Sequence, residues 1–183
     1  LEQLVTFNCE IKKDELVKDL FVFSCFRGLS YSDMKGLRNS NIQDFFDGNQ
    51  WIIVRRKKTA TSSNVMLLDI PKMIIEKYVG LSKDGKVFPV PSNTVCNDSL
   101  KRISQQIDCL KEKKVTFHLA RHTFATLFLS EGVPLKSLSQ MLGHKNIATT
   151  QIYAKILNEK VGKDMQKVSH KFKGMEQSFV ASL

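Results

Sequence analysis

Apolar residues in this chain recur mostly at helical spacing, in short runs cut off by glycine or proline, and that pattern sets the class of fold. From Lys13, the positions Leu16, Leu20 and Phe23 share one face and predict a helix to about Phe26, which Gly28 then breaks. Ser30 or Ser32 caps a second helix through Asp33, Met34 and Leu37. Pro71 suits the first turn of a helix over Lys72–Tyr78, and Asn93 caps one running to about Leu110. Phe117, Ala120, Phe124, Leu127 and Phe128 share a further face. Pro134 opens a helix with Leu135, Leu138, Met141 and Leu142 inward and Gly143 as its stop. Asn146 caps another, carrying Ile147, Ile152, Tyr153 and Ile156. Two runs depart from the helical period. Trp51–Val54 and Val65–Leu68 read as strands, and the polar, basic turn over 55–64 joins them as a hairpin. The expectation is a mainly α fold with one small antiparallel β-sheet, an α+β domain.

At 183 residues the chain has room for a single buried core. Against 18 Asp and Glu stand 28 Lys and Arg, a formal charge of +10 spread along the whole chain rather than gathered in a tail. That excess favours a polyanionic partner, nucleic acid ahead of a membrane surface. Cys9, Cys25, Cys96 and Cys109 form no C-x-x-C pair and read as thiols of a reducing compartment. No apolar run is long enough to span a bilayer, and Leu1–Ile11 lacks the basic start and apolar stretch of a leader. The expected location is therefore the cytoplasm. The chain does not begin with Met, which suits a piece of something longer.

The densest chemistry lies in HLARHTFAT, residues 118–126, and in LGHKNIATTQIYAK further on. On a helical wheel, His118 and Arg121 fall next to each other at the rim of the apolar arc, where a pocket wall would stand. His122 lies further round and reads as a satisfied polar residue. His118 and His122 have the i, i+4 spacing of zinc ligands, but an arginine stands between them and no HExxH accompanies them, so no metal is expected.

These boxes resemble the catalytic C-terminal domain of the tyrosine recombinases, the phage-integrase family. His118 and Arg121 match the family's H-x-x-R box, Leu142-Gly143-His144 its L-G-H box, and Tyr153 stands nine residues beyond His144, as the family's nucleophile does. Arg27, between Phe26 and Gly28 with Asp33 following, is matched to an earlier family arginine. Lys58-Thr59 is matched to the family's hairpin lysine, with Lys57 as the alternative. The resemblance covers roughly residues 5 to 160. It implies the tyrosine-recombinase catalytic-domain fold over 1–160, and a tail over 161–183 that docks on a neighbouring protomer through Val161, Met165, Val168 and Phe172. It also implies that the family's N-terminal core-binding domain is absent from this chain.

The implied activity is site-specific cleavage and rejoining of double-stranded DNA without metal, ATP or other cofactor. Tyr153 would attack phosphorus to form a 3′-phosphotyrosyl link. Arg27 and Arg121 would hold the non-bridging oxygens, because a guanidinium stays charged and presents a fork of donors. His118 and His144 would add hydrogen bonds, with His118 assisting proton transfer from Tyr153. Lys58 would protonate the leaving oxygen, and Asp33 would brace the pocket. A cationic surrounding is expected to favour the Tyr153 phenolate. Arg55, Arg56, Lys57 and Lys145 are candidate DNA contacts, as are Lys35, Arg38, Lys101 and Arg102. The implied assembly is a tetramer on DNA, associated with the nucleoid, from a domain that is monomeric alone. The competing readings are a type IB topoisomerase and a non-catalytic DNA-binding regulator that kept the fold.

Overall fold

The computed structural model describes residues 1–57, 59–82 and 84–153, together with 161, 162, 164–170, 172, 174 and 175 of the tail. The elements run α1 (Glu2–Thr6), α2 (Lys12–Arg27), α3 (Tyr31–Lys35), β1 (Ile42–Asp44), β2 (Gln50–Arg55), β3 (Ser62–Met66), α4 (Asp69–Lys77), α5 (Asn93–Gln105), α6 (Phe117–Ser130) and α7 (Leu135–Leu142). Among the described residues, four short 3-10 turns fall between or after them, the last two at Ile147–Thr149 and Gln151–Tyr153.

Helix α2 is the axis of the domain. Asp14 and Glu15 sit in its first turn and Arg27 in its last, the arrangement that suits the helix dipole. From Val17 to Cys25 every residue is buried, so α2 is enclosed on all faces rather than on one stripe. Helices α1, α4, α5 and α6 surround it. Three of its buried charges, Asp14, Asp19 and Lys18, are answered by partners outside α2. Asp14 takes Arg102 of α5 at 2.5 Å and Asp19 takes Lys77 of α4 at 2.7 Å, while Lys18 donates to the Phe7 carbonyl. Arg102, one of the candidate DNA contacts, is thus held in an ion pair with α2.

The sheet is antiparallel in the order β1-β2-β3, with Ile52 opposite both Ile42 and Val65. Alternation puts Ile52, Val54 and Val65 in the core, while Arg55, Ser62 and Asn64 face outward. Strand β1 was not predicted. Ile42-Gln43-Asp44 contains one apolar residue, too little for a periodic signal on a sheet edge. The run predicted as one helix after Asn146 is instead two 3-10 turns, Asn146 capping the first through its side chain. Ile156 lies outside the described residues.

Apolar side chains form two clusters. The larger gathers α2, the sheet, α4, α5 and the start of α6. The smaller contains Phe124, Ala125, Leu129, Leu138, Leu142 and Tyr153, so the end of the 3-10 turn is anchored against α6 and α7. Among the described residues, no helix is long and apolar enough to cross a membrane.

Candidate active site

The site forms where the turn after α2, the β2–β3 hairpin and the ends of α6 and α7 meet. Gly28 ends α2 with φ of 68° and its N–H donates to the Ser24 carbonyl. A Cβ there would lie 2.7 Å from Phe124, so glycine is required both by conformation and by the approach of α6. The Gly28 carbonyl accepts from two guanidinium groups, Arg121 Nη1 at 2.7 Å and Arg56 Nη2 at 3.0 Å. Arg121 also donates to the Leu142 carbonyl at 2.6 Å, reaching the last residue of α7.

Arg56 is the second cation here. It is 4% exposed and ion-paired to Asp33 at 2.8 Å. Asp33 in turn accepts from Ser30 Oγ at 2.7 Å and from the Lys57 N–H at 3.1 Å. Burial by itself pushes the Asp33 carboxyl up. The Arg56 guanidinium, Ser30 and the Lys57 amide overcome that and hold it below the usual carboxylate range. Asp33 thus braces an arginine, but the arginine is Arg56.

The hairpin is latched onto the end of α7. Thr61 Oγ1 and Thr59 Oγ1 both donate to the Gly143 carbonyl, and Ser63 Oγ donates to that of Met141. Gly143 has φ of 62°, and a Cβ there would lie 2.7 Å from Arg56 Cγ. This close approach brings His144 beside both arginines. Its Nδ1 meets Thr150 Oγ1 at 2.8 Å. Burial, then the charges of Arg121 and Arg56, push its imidazole down to about 4, so it is neutral at pH 7. Burial, aided by the charge of Arg56, likewise lowers Arg121 to about 10, with Asp33 and Tyr153 opposing.

Tyr153 ends the last 3-10 turn, 8% exposed. Its Oη and His122 Nδ1 stand 2.9 Å apart, at hydrogen-bond distance. Burial raises its phenol above the ordinary value, and the opposing field of Arg121 does not offset this. The expected phenolate is therefore not favoured in this state, because desolvation of the anion outweighs the nearby cations. His122, read from the sequence as merely polar, is the residue on the Tyr153 oxygen. His118, expected there, is exposed in the first turn of α6, its ring edge-on to that of His122 at 4.6 Å.

Arg27 is not brought into this group. It is 0% exposed, and its Nη2 donates to the carbonyls of Ile52 and Ser63, tying α2 to β2 and β3. Among the described residues, its Nε and Nη1 have no hydrogen-bond partner. Burial first, and then repulsion from Arg56, lower it to about 9. A side chain sealed on every side cannot touch a phosphate, so the match of Arg27 to a phosphate-holding arginine is corrected here. Lys58 lies outside the described residues. A Cβ on Gly36 would stand 3.2 Å from Lys57 Nζ, so Lys57 lies over the end of α3. Arg55 is exposed and donates to the Ala60 carbonyl, and Lys145 is exposed.

Solved structures share this architecture. The XerH site-specific recombinase bound to palindromic difH substrate, a post-cleavage complex, has a TM-score of 0.70 at 18% identity, over 90% of this chain and 49% of that one. The catalytic domain of bacteriophage HP1 integrase has a TM-score of 0.55 at 22% identity, over 82% of this chain and 87% of that one. The fold is therefore the tyrosine-recombinase catalytic-domain fold. Sequence agrees. The pattern of the Phage integrase family matches residues 1–160. The tyrosine recombinase XerA of Saccharolobus solfataricus is 31% identical over 156 residues, 85% of this chain and 50% of that protein. XerA of Thermococcus onnurineus is 29% identical over 167 residues, 85% of this chain and 55% of that protein. The chain belongs to the phage integrase family of tyrosine recombinases, and spans about half the length of the curated relatives it matches.

Proposed function

We propose that this chain is the catalytic domain of a site-specific DNA recombinase that cuts and rejoins strands through a 3′-phosphotyrosyl link, with Tyr153 as nucleophile. The observation that carries the reading is the convergence of Arg121, Arg56, His144 and Tyr153, drawn from α6, the hairpin, the α7 end and the last turn. Attack by Tyr153 Oη forms the O–P bond and expels the 5′ oxygen, so bond energy is kept in the phosphotyrosine and no ATP is needed. Charge builds on the non-bridging oxygens, and two guanidinium groups on one carbonyl suit that charge. Arg121 and Arg56 take this role in our reading. His144 is neutral and adds a donor rather than a charge. His118, at the mouth, binds phosphate or the flanking backbone. Lys58 protonates the leaving oxygen. Arg27 braces the hairpin against α2.

The substrate is duplex DNA in the cytoplasm, with Arg55, Lys57 and Lys145 on its backbone. The protein works as a tetramer on its site. The tail carries the coupling between protomers, since Val161, Met165, Val168 and Phe172 are all exposed. A DNA duplex nicked beside the cleavage point tests the reading. Wild type is expected to become covalently joined to it and Tyr153→Phe is not; an adduct formed by Tyr153→Phe would give the nucleophile to another residue.

A further inference from the structure

We infer that His122 is a catalytic residue, the base that takes the Tyr153 proton during cleavage and returns it during rejoining. The inference rests on the phosphotyrosyl reading above and adds to it the fate of one proton. Oη and Nδ1 stand 2.9 Å apart, a proton-transfer distance, without rearrangement. The two rings are also in edge contact, with centroids 5.8 Å apart, and Tyr153 is wedged into the smaller apolar cluster. The bond is thus held from both ends.

A base is needed here. The phenol is raised by burial, so the neutral form dominates before attack. His122 is lowered from its ordinary value by burial, then by His118, then by Arg121, and is available as a neutral acceptor at pH 7. The groups acting on it come from its own helix, His118 and Arg121, and from the 3-10 turn, Tyr153. Arg121 and His122 are adjacent in sequence, so one turn of α6 presents the cation for the phosphate and the acceptor for the nucleophile. In the balanced step the Tyr153 Oη–P bond forms and the P–O5′ bond breaks. The phenol proton passes to His122 Nδ1, and a proton from Lys58 caps the 5′ oxygen. Rejoining reverses both transfers.

The test uses the full chain and a pool of nicked duplexes with randomised sequence around the nick. Duplexes captured covalently by wild type then serve for the variants. His122→Asn keeps an acceptor oxygen near the Nδ1 position but cannot hold the proton, and His122→Phe keeps the ring's bulk. Both are expected to melt and bind DNA as wild type does, yet to capture ~10²-fold more slowly or worse. The wild-type rate should fall as His122 is protonated, and the variants should lose that limb of the pH profile. Sulfur in place of the 5′ bridging oxygen leaves as a thiolate and needs no acid. It should restore Lys58→Ala but not His122→Asn. Wild-type capture rates in both His122 variants, an unchanged pH profile in them, or recovery of His122→Asn by the sulfur substrate would each overturn the assignment. Capture by Tyr153→Phe, or none by wild type, would overturn the phosphotyrosyl reading beneath it as well.

Discussion

Arg27 carries a charge into the core with two nitrogens, Nε and Nη1, unpaired among the described residues, and two carbonyls as its acceptors. A buried ion without an anion is often replaced by an apolar side chain at no loss or with a gain. Arg27→Met should therefore melt at or above the wild-type temperature, while Arg27→Ala should melt lower because it leaves a cavity. Covalent capture by Arg27→Met should match wild type, whereas Arg56→Gln should lose most of it. Thermal melting and the adduct assay check both. The sequence distinguished these two arginines poorly. Spacing placed Arg27 at the end of a helix, but α2 is buried on every face, and no amphipathic contrast shows which way its last residue turns. Arg121, His144 and Tyr153 were legible because their boxes fix both identity and interval. His122 was not, because a wheel describes one helix and its partner comes from another element. The two depressed imidazoles also predict a pH effect. His144 and His122 each titrate lower folded than unfolded, so the unfolded chain binds more protons as pH drops. Their contribution is complete above the unfolded value near 6.5 and is lost as pH falls toward the folded value, about 4 for His144. Melting temperature should decline across that window, and His144→Asn should decline less.

At the scale of elements, the hairpin and the end of α7 act together through Thr61, Thr59 and Ser63. Thr61→Val preserves shape and removes one donor from the Gly143 carbonyl, a loss of about 1 kcal/mol. Gly143→Ala is harsher. It meets a positive φ and the Arg56 side chain at once, so Arg56 must shift. Its capture rate should fall further than its melting temperature, a split that a purely structural lesion would not give. The sequence announced this latch only in part. Both predicted strands are present, the first one residue longer at each end and the second beginning three residues earlier, and Pro134 and Gly143 bound α7 as expected. The bonds between hairpin and helix join residues some eighty positions apart, which no local pattern encodes. The last turns were read as one helix because Ile147 and Ile152 suggest a stripe, yet both are exposed.

Across the whole molecule, the formal charge of +10 predicts binding dominated by phosphate contacts. A domain neutralising about six to ten phosphates should lose ~10³–10⁵ in affinity between roughly 50 and 200 mM salt. Titration over that range measures the slope, and a flat response would point away from backbone contacts. The two guanidinium groups suspended from the Gly28 carbonyl bear on how such binding becomes reaction. Two positive side chains repel, yet here a single oxygen tethers the pair, and α2 behind it is too enclosed to yield. Their spacing is set when the chain folds, so under the function proposed above an arriving phosphate meets a pair of cations already in place.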